Sequence, residues 1–537
     1  MQWVQPERLR RHNAQHKNQG LPVDASARAG QESVAGGLQM RIGSIAALVL
    51  LAIGGMSATA APAPRSASAS AAAKAPGVPA WLEARIGGLS SEQRDFLLSA
   101  DADEFAGSHA KLLQRLETKS PDEIAAYVDG MIAVTKAQKF DPATDMAAIP
   151  LNTEATKFNL WKLRRPESFS PRREPGPISL SYYAGGRPAI RTFADAPVAV
   201  YPEDLVAGKV DIAIVGAPLD MGSYYRGQRF GPMAMRNEYG AGGIDMNTMV
   251  DPSKELNIVD YGDIAIDNMS TERTVHHVRE RVAEIARTGA LPFIVGGDHS
   301  LEYPNIAGLA DVHGKGSFGV VHFDSHFDAG RDRPHFITHG SPVYRAVKEG
   351  HVQAKNFIQV GLRGPWPGAE GFEWMRNNGM RYHTMAEVEK RGWDAVMKRA
   401  LAEAREGGKK IYISFDVDVL DPAFMPGTGT PVPGGLTMRE AMPMVRRLCS
   451  ENDLVGFEIV ELDPMLDNTY RSALNANFIM HACLTGVAVR RMGIKDPGFL
   501  AELTTEHMQP EAGIKGAKEG KDEKIDPAYA TGRKPGN

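Results

Sequence analysis

Residues 318–328 read Phe-Gly-Val-Val-His-Phe-Asp-Ser-His-Phe-Asp, an apolar run that leads directly into acidic and imidazole side chains. The apolar part is typical of a strand buried on both faces of a parallel sheet. Two more stretches have this form: Gly-Gly-Asp-His-Ser at 296–300 follows Leu291–Val295, and Asp-Val-Asp at 416–418 follows Ile411–Phe415. In open parallel sheets ligands bind where strands end, so these stretches predict a functional site.

Apolar runs alternate with helix-like stretches over nearly 300 residues. This alternation predicts one three-layer α/β/α sandwich with a mostly parallel sheet. The runs are Val210–Val215, Phe293–Val295, Gly319–Phe323, Phe357–Val360, Ile411–Phe415 and Leu454–Val460, and the helical stretches are Thr271–Thr288, Asp394–Glu406, Thr437–Cys449 and Ser472–Arg491.

The rest of the chain divides by composition. We expect a polar leader and a signal peptide in residues 1–60, a flexible linker in 61–80 and a helical or irregular N-terminal extension in 81–200. The catalytic domain is expected in 201–495, followed by a disordered tail in 496–537. Ser90 with Gln93, and Ser120 with Glu123, have the spacing of capped helix starts.

The 537 residues carry a net charge of -4, which argues against a nucleic-acid partner. The two cysteines, Cys449 and Cys483, lie in apolar, helix-like stretches. They cannot form a thiolate metal site, and we expect buried free thiols rather than a disulfide.

The strand-end side chains together have the composition of a cage for two divalent metals. Carboxylate oxygens with a minority of imidazole nitrogens favour Mn²⁺, and leave Ni²⁺ and Fe²⁺ open. Four carboxylates are balanced in formal charge by two divalent ions, whereas the same carboxylates without metal would repel one another. The expected ligands are His299, Asp324, His326, Asp328, Asp416 and Asp418.

These motifs resemble the signature set of the ureohydrolase family, which includes arginases, agmatinases and guanidino-acid hydrolases. The resemblance covers roughly residues 205–495. It implies hydrolysis of a guanidinium C–N bond with release of urea at a binuclear manganese centre. It also implies the α/β/α fold and assembly as a homotrimer or hexamer.

The resemblance assigns a role to each motif residue. One metal would be held by His299, Asp324, Asp328 and Asp416, and the other by Asp324, His326, Asp416 and Asp418. Asp328 would also orient the hydroxide that bridges the metals. Glu461 would bind the guanidinium, which a carboxylate matches well, and His339 would carry a proton to the leaving amine at near-neutral pH. We expect the side chains of His322 and Ser325 to face away from the metals.

The substrate is less sharply defined. Residues 229–232, 339–342 and 426–431 resemble agmatinases and guanidino-acid hydrolases more than arginases, and agmatine, converted to putrescine and urea as in polyamine metabolism, is the expected substrate. Arg331 and Arg333 would favour a guanidino acid if they faced the pocket. Guanidine and formiminoglutamate are further alternatives, as is a binding module without catalysis.

The N-terminal region predicts export. Met40-Arg41, the apolar run 45–53 and Ala58-Thr59-Ala60 have the form of a secretory signal, with Met40 as the true start. A membrane anchor and a cytoplasmic protein are the alternatives. N-terminal sequencing of the native protein tests this prediction: we expect a mature chain that begins near Ala61, and an intact Met1 would contradict export.

Overall fold

The structure, a computed structural model, describes residues 78–106, 108–138, 174–181, 190–331, 337–406 and 410–506. The expected signal peptide, nearly all of the expected linker and most of the expected C-terminal tail lie outside these residues.

Five helices form the first described segment. They enclose a core of their own that includes Leu82, Leu112 and Tyr127. The predicted helix starts are confirmed: Ser90 exchanges hydrogen bonds with Gln93, and Ser120 with Glu123. The helices are α1 (Ala80–Ile86), α2 (Ser91–Leu97), α3 (Ala100–Glu104), α4 (His109–Leu116) and α5 (Pro121–Gln138).

An eight-stranded sheet forms the centre of the α/β domain, which follows these five helices along the chain. Its order is β2-β1-β3-β8-β7-β4-β5-β6, and every pairing is parallel. The strands are β1 (Ile212–Ala217), β2 (Ile258–Asp263), β3 (Leu291–Gly296), β4 (Phe318–Phe323), β5 (Phe357–Leu362), β6 (Arg381–Thr384), β7 (Lys410–Asp416) and β8 (Leu454–Val460).

Helices cover both faces of this sheet. Alternate strand residues point to opposite faces, so Ile212 and Ile214 belong to one apolar core while Ala213 and Val215 belong to another. The predicted three-layer α/β/α fold is therefore confirmed. The helices are α6 (Pro202–Ala207), α7 (Gly231–Asn237), α8 (Pro252–Glu255), α9 (Thr271–Arg287), α10 (Glu302–His313), α11 (Pro342–Lys348), α12 (Ala369–Asn377), α13 (Met385–Arg391), α14 (Trp393–Arg405), α15 (Met438–Glu451), α16 (Arg471–Arg491) and α17 (Glu502–Thr505).

Helix α16 is the one described helix with the length and apolar composition of a membrane span, and 78% of its apolar window is buried inside the protein. Its apolar character is accounted for by this position in the core. Asn477 on this helix donates to the carbonyl oxygens at the end of α7 and so fixes the two helices together.

Two strands escape prediction from the sequence. Strands β2 and β6 lie at the two edges of the sheet, and polar or charged residues interrupt the apolar ones in their sequences, Ile-Val-Asp-Tyr-Gly-Asp and Arg-Tyr-His-Thr. An edge strand is covered less completely than a central one, so it tolerates polar residues and lacks the continuous apolar run that marks a buried strand.

The expectation of free thiols is wrong. Cys449 on α15 and Cys483 on α16 form a disulfide with their Cα atoms 5.3 Å apart, and both are fully buried. The two helices approach closely because Gly486 has no side chain: a Cβ there would lie 2.7 Å from Cys449 Cβ. The sequence places the two cysteines 34 residues apart and carries no local signal of this contact.

The disulfide predicts a measurable thiol count and a stability difference. Denatured, unreduced protein should show no free thiol, and reduced protein should show two. Closing a loop of this length stabilises a fold by about 3–4 kcal/mol, so reduction should lower the free energy of unfolding by that order. A Cys449→Ala/Cys483→Ala protein should not respond to reductant, and two reactive thiols in unreduced wild type would contradict the pairing.

Candidate metal centre

The turn after β3 brings His299 to the site. Gly297 passes against the loop after β1 so closely that a Cβ would lie 1.6 Å from the Leu219 carbonyl oxygen. Asp298 then caps a short 3-10 turn, His299–Leu301, by accepting from the Ser300 backbone amide. Glycine at position 297 permits this approach, and its result is that His299 lies fully buried at the strand end.

The alternation of ligands in the Asp-Ser-His-Phe-Asp stretch suggests an extended strand, but the backbone is not extended there. Strand β4 ends at Phe323, and the Asp324 carboxylate then accepts from the His326 backbone amide at 2.6 Å. Asp328 has a φ of 45°, in the left-handed region that non-glycine residues rarely adopt. The three ligands converge through this folded backbone rather than through strand periodicity.

The third stretch also turns as soon as its strand ends. Asp416 is the last residue of β7, and its Oδ1 accepts from the Asp418 backbone amide at 2.8 Å. Asp418 lies in the 3-10 turn Val417–Val419. One carboxylate oxygen of Asp416 thus fixes the turn while the other faces the site.

The ligand atoms form two groups that share Asp324. In the first, His299 Nδ1 lies 3.1 Å from an Oδ2 atom of each of Asp324, Asp328 and Asp416. In the second, His326 Nδ1 lies 2.9 Å from Asp418 Oδ2 and 3.4 Å from Asp324 Oδ1. All six predicted metal ligands are therefore brought together at the carboxyl ends of β3, β4 and β7.

Electrostatics favour cations in both groups. Burial, together with the neighbouring Asp418 and Asp324, raises the pKa of Asp416 well above its ordinary value. Burial acts on Asp324 in the same direction, but its three imidazole neighbours outweigh it and hold the pKa of Asp324 well below the ordinary value. A single imidazole Nδ1–H can satisfy only one of the three carboxylates around His299. The remaining negative charge fits divalent cations, and the oxygen-rich donor set is one that Mn²⁺ accepts.

Two expectations about neighbouring residues are wrong. Ser325 does not face away: its Oγ donates to Asp418 Oδ1 at 2.7 Å. His322 also lies against the cluster, with Nε2 3.1 Å from Asp324 Oδ2 and its ring stacked on His299. His322 precedes Asp324 by two residues, so strand alternation places both on the same face.

Buried polar residues beneath the cluster fix the orientation of His299. Its Nε2 lies 2.8 Å from Ser414 Oγ, and Glu302 and Glu458, both fully buried, lie close by. Such partners select the tautomer of a ligating histidine and hold its ring. Sequence reasoning did not identify these three residues. Ser414 occurs inside an apolar run, two positions before Asp416, and that spacing is the one available signal.

Glu461 lies directly after β8 and faces the same cluster. Its φ is 64°, and strain of this kind is concentrated at functional sites. The carboxylate accepts from the His299 backbone amide at 2.8 Å, from His339 Nδ1 at 3.0 Å and from Gln228 Nε2 at 2.9 Å. These donors outweigh burial and lower the pKa of Glu461. Gln228 was not identified from the sequence.

His339 is held beside Glu461 by a chain of backbone contacts. Its amide donates to the Gly222 carbonyl oxygen, and the Gly222 amide donates to Asp298. Burial by itself lowers the pKa of His339, but the adjacent Glu461 carboxylate outweighs it and raises the pKa to about 10. The expected titration near neutrality is therefore not a property of His339 while it pairs with Glu461.

The Arginase family model matches residues 210–485, and the chain belongs to the arginase family. It is a metal-dependent hydrolase of that family, acting on C–N bonds, and the ligand cluster is consistent with this class.

Curated relatives match across most of their own length. Guanidinobutyrase of Pseudomonas aeruginosa is 37% identical over 312 residues, which is 56% of this chain and 94% of the relative. Agmatinase of Chromobacterium violaceum is 35% identical, over 52% of this chain and 84% of the relative. The mitochondrial guanidino acid hydrolase of Homo sapiens is 34% identical, over 54% and 82% respectively.

Solved structures give the same result. Proclavaminate amidino hydrolase from Streptomyces clavuligerus has a TM-score of 0.50 at 29% identity, covering 57% of this chain and 99% of that one. A hypothetical agmatinase from Burkholderia thailandensis has a TM-score of 0.50 at 31% identity, covering 58% and 93%.

The His339–Glu461 pair predicts a pH dependence of stability in the metal-free protein. The folded pKa of His339, about 10, lies above its ordinary 6.5, so the native state retains a proton that the unfolded state loses. The stabilisation is complete below pH 6.5 and is lost as the pH rises towards 10. Urea denaturation across this window should show a falling free energy of unfolding, and this fall should be smaller in His339→Asn. A His276→Asn protein, altered on the exposed side of α9, should keep the slope; equal slopes in wild type and His339→Asn would contradict the pairing.

Proposed function

We propose that the protein hydrolyses the guanidino group of a small linear substrate, releasing urea and a primary amine. The observation that supports this most directly is Glu461, a buried, ionised carboxylate that touches the backbone of the metal ligand His299. A buried anion beside a metal cluster suits a substrate whose reacting group is a planar cation with several N–H donors.

Glu461 would bind the amidinium and set its carbon against the cluster. The strained backbone of Glu461 and its hydrogen bond from the His299 amide fix the carboxylate before substrate arrives, so little reorganisation is needed. Two divalent cations at the cluster, when bound, would lower the pKa of water and so supply the nucleophile. Asp328, which lies in the first ligand group, would accept a hydrogen bond from that water.

His339 would supply the proton to the leaving amine. In the substrate-free site it is the cation paired with Glu461, 3.0 Å away. A bound guanidinium provides another positive charge for the same carboxylate, which lowers the tendency of His339 to keep its proton. The proton then passes to the nitrogen whose bond to carbon breaks. The guanidinium cation and one water balance to urea and an ammonium product, and the proton that the water loses on becoming the nucleophile replaces the one that His339 donates.

The residues that line the depression next to His339 favour agmatine as the substrate. A depression of about 530 Å³ is lined by His339 and by Ser223, Tyr224, Met269 and Glu272. Among its described lining residues Glu272 is a carboxylate and none is Lys or Arg, which suits a terminal ammonium. Arg331 is exposed and does not line this depression, and Arg333 lies outside the described residues. Hydrolysis of agmatine would yield putrescine and urea.

A guanidino acid is the second candidate, because guanidinobutyrase of Pseudomonas aeruginosa is 37% identical to the chain. The two candidates differ in the charge at the far end of the substrate, a primary ammonium in agmatine and a carboxylate in 4-guanidinobutyrate. A direct assay of both substrates therefore separates them.

The experiment measures urea release by manganese-loaded protein from agmatine, arginine, 4-guanidinobutyrate, 3-guanidinopropionate and guanidine, repeated with Ni²⁺ and Fe²⁺. We expect urea from agmatine. Asp324→Asn keeps the shape of a residue shared by both ligand groups but removes its charge, and should lose bound metal, measured by elemental analysis, together with activity. Glu461→Gln should retain metal and lose activity by about 10²-fold or more.

Each outcome of this assay has a distinct meaning. Urea from 4-guanidinobutyrate alone would replace agmatine by the acid. No urea from any substrate with any metal would contradict the guanidinium reaction, and full activity in Glu461→Gln would contradict the assigned pairing.

We also propose that the protein folds outside the cytoplasm, as the signal-like N-terminal sequence suggests. The buried Cys449–Cys483 disulfide supports this, because such bonds persist in oxidising compartments.

The trimer or hexamer stays a prediction. A second depression lies beside α7, and exposed apolar side chains around it suit a subunit contact. They include Met233, Met465 and Tyr470.

A further inference from the structure

The side chain of Gln228 is the feature of this site that the proposed mechanism leaves unused. It lies in the short 3-10 turn Gln228–Phe230, which precedes α7, and it is fully buried. Its Nε2 donates to Glu461 Oε2 at 2.9 Å and to Ser223 Oγ at 3.1 Å. The orientation of the amide is dictated by these contacts, since a carboxylate can only accept and the donor must face it.

Two glycines fix Gln228 against the site. Gly227 lets the turn pass close to Asp463, which lies two residues after Glu461. A Cβ at Gly227 would lie 2.0 Å from Asp463 Oδ1. Gly429 packs against the amide itself, where a Cβ would lie 2.9 Å from Gln228 Nε2. The side chain therefore has a defined position, and a buried amide in such close contact has little freedom to turn away from Glu461.

The other end of the amide, Oε1, is a buried acceptor without a hydrogen-bond partner among the residues that the structure describes. A buried acceptor left unpaired is destabilising unless something fills it. Oε1 shares its carbon with Nε2, which contacts Glu461. Ser223, which contacts Gln228, and His339, which contacts Glu461, are two of the residues that line the depression.

A count of acceptor sites shows that Glu461 cannot accept from every N–H of a bound guanidinium. An ionised carboxylate offers about four acceptor sites, and three are occupied by the His299 amide, His339 Nδ1 and Gln228 Nε2. A monosubstituted guanidinium carries two terminal NH₂ groups. When the guanidinium replaces His339, Glu461 keeps the His299 amide and Gln228 Nε2 as donors and offers about two acceptor sites to the substrate. The two NH₂ groups carry more N–H bonds than that, so Gln228 Oε1 is available to accept one that Glu461 does not.

We propose that Gln228 is a substrate-binding residue that selects a guanidino group over a formimino group, with its Oε1 accepting an N–H of the second terminal NH₂. A formimino group carries C–H where a guanidino group carries that NH₂, so it would leave Oε1 unpaired. A site built to accept from a substrate N–H rejects the analogue that lacks it. This inference rests on the proposed function and narrows its substrate class.

The test compares two compounds that share a leaving amine. Agmatine and N-(4-aminobutyl)formamidine both release putrescine, with urea or formamide as the second product, so kcat/KM for both is measured by putrescine release from the metal-loaded protein. Gln228→Met keeps the length of the side chain and removes its hydrogen bonds. Asn477→Leu is the matched control, because Asn477 is a buried amide whose Oδ1 is also unpaired among described residues but which contacts α7 and the residues that follow it.

We expect wild type to prefer agmatine, and Gln228→Met to reduce this preference by about tenfold or more, as loss of one hydrogen bond allows. Asn477→Leu should keep the wild-type ratio even if it lowers both rates. If Gln228 acted only by holding Glu461, both substrates would lose equally in Gln228→Met. An unchanged ratio would therefore overturn the proposal.

Calorimetric affinities for the same two compounds separate failure of this proposal from failure of the proposed function. Binding of agmatine without turnover would contradict the reaction but leave the affinity ratio to decide the role of Gln228. Weak binding of both compounds by wild type would contradict both proposals. If the urea assay selects the guanidino acid, the same comparison uses 4-guanidinobutyrate and 4-(formimidoylamino)butanoate, which share 4-aminobutyrate as product.

Discussion

The repulsion among buried carboxylates at one edge of the sheet is the constraint on which the site depends. Asp324, Asp328 and Asp416 each place an oxygen 3.1 Å from a single imidazole nitrogen, and burial raises the cost of their charges. The protein meets this with close glycine contacts, left-handed backbone at Asp328 and imidazoles on several sides. Divalent cations complete the compensation, so metal binding and the local fold are one equilibrium.

Much of the fold and site could be predicted because the informative residues are local in sequence. The central strands are continuous apolar runs, and each of the three ligand stretches follows its strand directly. The chain order of α/β elements then brings those strand ends to one edge. No long-range contact has to be known to place His299, Asp324 and Asp416 together, which is why all six side chains of the cluster could be identified from the sequence.

What could not be predicted depends on contacts between distant segments. The Cys449–Cys483 disulfide needs the packing of α15 on α16, and Gln228 meets Glu461 across 233 positions of sequence. The misplacement of Ser325 has a different cause. Strand alternation was extended past Phe323, where the strand has ended, so the side-chain directions that it predicts no longer apply.

Glu461 is paired with the His339 imidazolium even when no substrate is bound. Binding of a guanidinium would therefore exchange one cation for another at this carboxylate. An incoming guanidinium would take the place of the His339 imidazolium at the carboxylate, so Glu461 would be paired with a cation before and after binding. The displaced imidazolium would become a stronger acid at the moment when a leaving group needs a proton. Departure of the products would restore the original pair, and the enzyme would return to rest without an exposed, unpaired charge.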